Sequence, residues 1–357
     1  MVGIRWIEHI YQHILEELIM SRITVLATTL ALILVASVRG DEPTVAEVTH
    51  WDLQAVNANG VGTYSATDKV IITGIVLNNP EEILNPTPGT GYMGGQWQIY
   101  IQGEGNDHAG TAVYMGQYYA KVGGSGNYTS EQLLSELCRI NHDPDTGYTF
   151  AAGDRVKVTG WYKFYKGKIN VNEKHQVEPM FDLEVELLEP AVGLPQPELI
   201  TLNMVKDGNN QYIFDQARLT GCEYYQGRLV RINDVNIVDP NYWVPDGTVT
   251  IMDRTGRTFP VKLGIGDGFT RYVCPTGQIS IIAIFDQEAS GYTVCTDGYR
   301  LWVPNYDGNG LVLTDRGHKR GNLPGDINTD YIVDFYDFAE LAENWLQQRA
   351  GLICCGE

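Results

Sequence analysis

Residues 326–337 read Asp-Ile-Asn-Thr-Asp-Tyr-Ile-Val-Asp-Phe-Tyr-Asp. Oxygen-bearing side chains stand at loop positions 1, 3, 5, 9 and 12, namely Asp326, Asn328, Asp330, Asp334 and Asp337. Position 7 is Ile332, whose backbone carbonyl completes the ligand spacing of a twelve-residue calcium loop. Four carboxylates brought this close repel one another, and a hard cation among them, Ca2+, offsets the repulsion. The alternative is an acidic, solvated tail. Phe338, Leu341, Ala342, Trp345 and Leu346 follow at i, i+3, i+4, i+7 and i+8, the apolar stripe of an amphipathic helix. Asp337 at its start suits the positive end of the helix dipole.

The segment Asn322-Leu-Pro-Gly325 ahead of the loop is unsuited to an entering helix. An EF-hand loop with an exiting helix and no entering one, opening Gly325-Asp-Ile-Asn328, resembles the dockerin type I repeat. The likeness covers residues 322–347. It departs from the pattern at position 6, where Tyr331 replaces the glycine of the sharp turn, and in having one repeat where a full dockerin has two. The resemblance implies a protein partner of the cohesin kind. It also implies an association with extracellular polysaccharide, which dockerin-bearing proteins commonly act on.

A second stretch with chemical potential is Trp161-Tyr-Lys-Phe-Tyr-Lys-Gly-Lys168. Trp161, Tyr162, Phe164 and Tyr165 interleave with Lys163, Lys166 and Lys168. Exposed at a hairpin, such residues stack on bases or sugars and neutralise phosphates or uronates. The competing reading is a hairpin whose alternate aromatics pack the core while its lysines protect an edge. Catalytic patterns are weaker. Gly89-Thr-Gly-Tyr-Met-Gly94 matches a dinucleotide fingerprint in letters, but it follows Asn-Pro-Thr-Pro and precedes a strand pattern, so the context fails. No nucleophile elbow, phosphate loop or HExxH pattern occurs. Asp107-His108 and His142-Asp143 fall in polar loops, and no spacing singles out a pair of catalytic carboxylates.

These candidates need a scaffold. Arg22, an apolar run from Ile23 to Ala36 and small residues before Asp41 form a secretory signal pattern, with Met20 as the expected start, so residues 1–40 are set apart. A single N-terminal anchor is the rival reading. Residues 1–40 carry three Arg and three Glu, so the whole net charge of −19 belongs to the remainder. That field disfavours nucleic acid and favours cations. In a secreted chain, Cys274 and Cys295 are expected to close one bridge; the roles of the adjacent Cys354 and Cys355 stay open.

From residue 41 to 315 short β-runs alternate with turn residues, so the fold class is mainly β. Residues 69–77, 96–102, 111–115, a helix over 129–140, then 155–161 and 168–171 give the order strand, strand, strand, helix, strand, strand. This is the element order of an OB-fold barrel. Val156-Lys-Val-Thr-Gly160 and the aromatic turn after it also resemble secreted bacterial OB modules. Thr129 and Gln132 form a capping-box pair, and Leu133, Leu134, Leu137 and Ile140 are assigned to one face. Pro190–Pro197 reads as a stiff linker, with 191–197 as its span. Beyond it, strands are predicted at 216–221, 227–235, 248–252, 258–263, 278–285, 292–295 and 299–303. Leu219-Thr-Gly221 echoes Ile72-Thr-Gly74, which predicts a second OB-like barrel over 198–315 with a loop around 264–275 in place of the helix. Residues 348–357 are a tail. The expected whole is two OB-like barrels in tandem and a calcium loop-helix module. The functional expectation is a secreted, non-enzymatic ligand-binding or scaffolding protein. An accessory protein or hydrolase of polysaccharide, and an extracellular nucleic-acid binder, are the alternatives.

Overall fold

β-branched and aromatic residues build the long strands of this protein, alternating with polar ones in strands such as Thr258–Leu263 and running nearly unbroken in Ile279–Gln287. The computed structural model describes residues 45–65, 69–89, 95–118, 127–173 and 182–306, and the backbone of 311–313. The chain enters through β1 (Ala46–Glu47) and the one-turn helix α1 (His50–Leu53). Five strands follow: β2 (Val70–Val76), β3 (Gln96–Gln102), β4 (Gly110–Gly116), β5 (Arg155–Tyr165) and β6 (Lys168–Asn172). They pair in the order β2-β3-β4-β6-β5, and β5 returns to β2 through Ile72↔Val158, closing a barrel. β4 and β6 run parallel, with Val113 opposite Val171.

The helix α2 (Ser130–Ile140) crosses between β4 and β5. Its start is fixed by the capping box: the Gln132 amide N–H donates to the Thr129 hydroxyl (3.2 Å), and the Thr129 N–H donates to Gln132 Oε1 (2.9 Å). Leu133, Leu137 and Ile140 pack under the barrel with Trp97, Ile99 and Met115. Leu134, assigned to that face by the sequence, points to solvent instead. Glu136 takes a buried place there, paired with Arg139 at 2.8 Å. An antiparallel edge strand, β7 (Glu184–Glu189), then lies along β5.

The second half repeats this plan in detail. β8 (Glu198–Ile200) lies parallel to the first barrel strand of its module, as β1 does to β2, and α3 (Leu202–Val205) takes the place of α1. The five barrel strands are β9 (Leu229–Ile237), β10 (Thr248–Met252), β11 (Thr258–Leu263), β12 (Ile279–Gln287) and β13 (Tyr299–Val303). β12 closes on β9 through Ile281↔Ile232, and β11 pairs parallel with β13. Where a loop was expected around 264–275 there is a single helical turn, α4 (Gly268–Arg271). β14 (Leu311–Leu313) pairs with β12 as β7 does with β5.

Two predicted strands are absent. Residues 216–221 are turns, because the Asp215 carboxylate collects the N–H groups of Ala217, Leu219 and Thr220 and Arg218 sits at φ 56°. The echo between Leu219-Thr-Gly221 and Ile72-Thr-Gly74 is therefore not structural; β9 is the true counterpart of β2. Residues 292–295 bend rather than extend, with the Cys295 N–H donating to Asn59 O (2.7 Å) in the first module. The expected Cys274–Cys295 bridge does not form. Both thiols are free, one packed beside the second core and the other at the junction with the first module.

Among the described residues, both barrels belong to one compact unit and share a continuous seam. The 191–197 stretch is pinned to it: Ala191 N–H donates to Asp154 Oδ1 (2.8 Å), Gly193 N–H to Gly153 O (3.0 Å), and Leu194 packs on the seam cluster.

Candidate ligand surfaces and the seam between the barrels

Strand alternation decides what each residue of the 161–168 hairpin faces. Val156 and Val158 point into the first barrel, so Tyr162 and Phe164 continue that row and pack on its core. Burial raises the Tyr162 phenol to about 12. Trp161, Lys163 and Tyr165 lie on the outer row, the first two half-buried and Tyr165 43% exposed. Lys166 (φ 48°) and Gly167 (φ 87°) make the two-residue turn. The turn docks on the second barrel. The Ala289 N–H donates to Lys166 O (2.8 Å), and Lys166 Nζ lies 3.9 Å from Glu288 Oε1. A β-carbon on Gly167 would stand 2.3 Å from Gln287 Oε1.

Lys168 reaches farthest. Its Nζ is 3.0 Å from Asp286 Oδ1, and the Tyr100 hydroxyl donates to the same oxygen at 2.5 Å. Arg300 Nε donates to Asp286 Oδ2 at 2.7 Å, and Arg300 also pairs with Glu288 at 3.0 Å. Both cations sit over the Trp302 ring, at 4.8 and 4.7 Å. Burial alone would raise the Asp286 pKa, but Lys168, Arg300 and the Tyr100 hydroxyl hold the carboxyl below its usual range. Burial lowers the Lys168 pKa despite its partner. Burial, and then the Asp286 charge, push the Tyr100 phenol far up. The group is a closed, mutually satisfied charge cluster between barrels, not an acid–base site. Sequence reasoning missed it. Its one signal was a charged residue, Asp286, directly after the Ile281–Phe285 apolar run of β12.

This packing determines which OB surface stays open. OB folds take ligands on the face of strands two and three and on the flanking loops. In the first barrel that face is the outer row of β3 and β4, and it is covered. Tyr100 and Ala112 pack with Leu77 and Ile83 against Leu229, Ile284 and Trp302 of the second barrel. Gln102 Oε1 accepts from Leu229 N–H (2.8 Å). Backbone meets backbone at Gly110 and Gly227, where a β-carbon on Gly110 would lie 2.0 Å from Gly227 O. The second barrel uses its outer β9, β12 and β13 rows for this contact, so the packing is head to tail. Its own strand-two and strand-three face stays accessible: Thr248 is exposed, and Thr250, Met252, Thr258, Pro260 and Lys262 are half-exposed. The loop leading into β10 adds Tyr242, 61% exposed, and Val244.

The His and acid candidates are built into the fold. Asp107 accepts the His50 and Trp51 N–H groups, both at 2.8 Å, at the start of α1. His108 Nε2 lies 3.0 Å from Glu198 Oε2, and its ring stacks on Tyr224 with centroids 4.1 Å apart. His142 Nδ1 contacts Cys138 O at 2.6 Å, while the Asp143 carboxylate accepts from Thr146 and from Leu187 N–H. A threonine–histidine pair, Thr111 Oγ1 and His50 Nδ1 at 2.8 Å, has the spacing of a nucleophile and base. Both residues are fully buried, and burial lowers the His50 pKa, so no substrate carbonyl reaches them. A cleft of about 350 Å³ beside Val192–Pro195 contains Arg155, which is held by Glu104 and Glu189.

The calcium-loop residues Asp326, Asn328, Asp330, Ile332, Asp334 and Asp337, the signal segment and most of the 89–94 glycine run lie outside the described residues. Among the described residues, no cluster of three or more His, Cys, Asp or Glu is arranged to hold a metal ion. Among them also, no helix is long and apolar enough to cross a membrane.

No protein-family model matches the chain. No curated protein matches it. Among solved structures, a replication protein A heterotrimer bound to single-stranded DNA is similar over 64% of this chain and 49% of that chain, at 8% identity and a TM-score of 0.23. This chain thus spans about half the length of that one. Likeness so slight says nothing about ligands, and the barrel assignment stands on strand order and closure.

Proposed function

We propose that this chain is an exported, non-enzymatic ligand-binding scaffold: a rigid pair of OB barrels followed by a single dockerin-like calcium module. The observation that carries the reading is the contrast between the two ligand faces. The first barrel's face is buried under the second barrel, whereas the second barrel's face is accessible and flanked by exposed Tyr242 and Val244. That face presents the exposed Thr248 hydroxyl with an aromatic ring at its rim, a composition suited to a polar, uncharged ligand such as a polysaccharide. The net charge of −19 argues against nucleic acid. The calcium loop and its apolar helix serve as the docking or capping element, with a cohesin-like protein as the partner class.

The test is binding of the full chain to neutral polysaccharides, polyuronates and single-stranded DNA, with calcium or with chelator. Retention on a neutral polysaccharide, weakened in Tyr242→Ala with the fold intact by circular dichroism, is the expected result. Binding confined to DNA, or no binding to any of the three, overturns the reading.

A further inference from the structure

We propose that Tyr165 and Tyr292 form a second ligand site, a stacking platform for one neutral pyranose unit of a glycan. The two rings come from equivalent places in the duplicated modules, the hairpins joining the fourth and fifth barrel strands. They meet at the seam with centroids 5.8 Å apart and planes at 82°. Tyr165 is 43% and Tyr292 61% exposed, so the pair leaves ring surface facing water at the point where both hairpins converge. Lys166 Nζ stands 5.7 and 5.5 Å from the two centroids and ties the rings together.

The platform is held from both sides. On the first barrel, the Lys166–Gly167 turn is fixed by the bond from Ala289 N–H to Lys166 O. On the second, Ser290 donates to Asp297 through its N–H (3.2 Å) and its hydroxyl (2.8 Å). Cys295 N–H anchors the far end on Asn59. A surface already ordered in its binding shape loses little entropy when a ligand arrives.

The chemistry selects the ligand. A pyranose presents a face of C–H groups with partial positive charge to the electron-rich faces of aromatic rings. Beside the rings the Lys166 ammonium and Glu288, 3.9 Å from it, offer a donor and an acceptor for sugar hydroxyls. Lys166 and Arg300 offset the Glu288 charge locally, while the chain's net charge of −19 repels polyuronates and nucleic acid phosphates. A neutral hexose unit stacks without that cost.

The site is independent of the open face of the second barrel, and the experiment separates them. The full chain is titrated by calorimetry with cellohexaose and mannohexaose, with oligogalacturonate and an oligothymidylate as charged probes. Tyr165→Ala, Tyr292→Ala, Tyr292→Phe and Tyr242→Ala variants are compared. A neutral hexasaccharide is expected to bind, with affinity weakened roughly tenfold by Tyr292→Ala and by Tyr165→Ala and kept by Tyr292→Phe. Binding that is lost in Tyr242→Ala and unchanged in both other alanine variants overturns the platform while supporting the open face. No neutral binding, or preference for either charged probe, also overturns it.

Discussion

Lys168 and Asp286 belong to different barrels, yet their Nζ and Oδ1 atoms stand 3.0 Å apart with side-chain exposures of 11% and 1%. The hairpin that joins two strands of one barrel is thereby the clasp of the pair. Because Lys168, Tyr100 and Arg300 all bind this one carboxylate, Asp286 is the hub of the cluster: its removal leaves Lys168 without its ion-pair partner, whereas Arg300 keeps Glu288.

Asp286→Ala strands Lys168 in a desolvated seam and leaves Arg300 with Glu288 alone. The expected loss is roughly 3–5 kcal/mol, read by urea unfolding at neutral pH. A loss below about 1 kcal/mol would mean that water enters and replaces the carboxylate. Acid acts through the same group. Its folded pKa is depressed, so its contribution is complete above the unfolded value near ~3.9 and lost as pH falls through the folded value. Stability is therefore expected to drop below about pH 4, and the drop should shrink in Asp286→Asn.

Gly167→Ala tests the tip of the clasp. The position is at φ 87°, and the added carbon meets the Gln287 side chain at 2.3 Å. A cost of about 1–3 kcal/mol is expected from strain and overpacking together. Gln287→Ala should recover part of it in a double-mutant cycle; strict additivity would show that the clash is absent.

Glu223 makes the opposite pH prediction. Burial raises its carboxyl to about 7, although Tyr299 donates to it at 2.5 Å and Arg218 lies near. The unfolded chain releases this proton near pH ~4.3, so between there and pH 7 the unfolded state binds fewer protons and stability falls as pH rises. The total is roughly 3–4 kcal/mol, flat above pH 7. Glu223→Gln should gain stability relative to the parent at pH 8 more than at pH 5. An equal difference at both pH values would show that the residue titrates normally.

Calcium is expected to stabilise residues 326–346 and leave the barrel transition nearly unmoved, by the linkage of ligand binding to folding. Differential scanning calorimetry of the full chain with calcium and with chelator checks this. Asp326→Ala combined with Asp337→Ala should abolish the calcium response. A barrel transition that shifts as much as the terminal one would contradict the proposed independence.

Four barrel strands, 96–102, 248–252, 258–263 and 299–303, were legible to the residue because apolar residues recur at every second position in each and turn residues bound each run. The helix cap was equally plain, since Thr129 and Gln132 act locally. The short edge strands β1, β8 and β14 were not, for two or three residues carry no period and are ordered by the neighbour they lie against. In the 161–168 segment, composition alone pointed to aromatics and lysines together. Only the pleat separates Tyr162 and Phe164, which face the core, from Tyr165 on the outer row. Tyr292 escaped notice because its loop was read as a strand. Its pairing with Tyr165 depends on the docking of two modules, which no local pattern encodes.

The covered face of the first barrel has a consequence for biosynthesis. Every strand of that barrel has been made by residue 172, but Ile284 and Trp302, which cover Tyr100 and Ala112, come much later in the chain. At ~5–20 residues per second the exposed interval is on the order of ten seconds. During that time a nascent chain carries a finished module with an apolar patch open to neighbouring chains. A ribosome stalled after the first module would release a folded but adhesive fragment, so expressing the first barrel alone should yield aggregate where the tandem yields soluble protein.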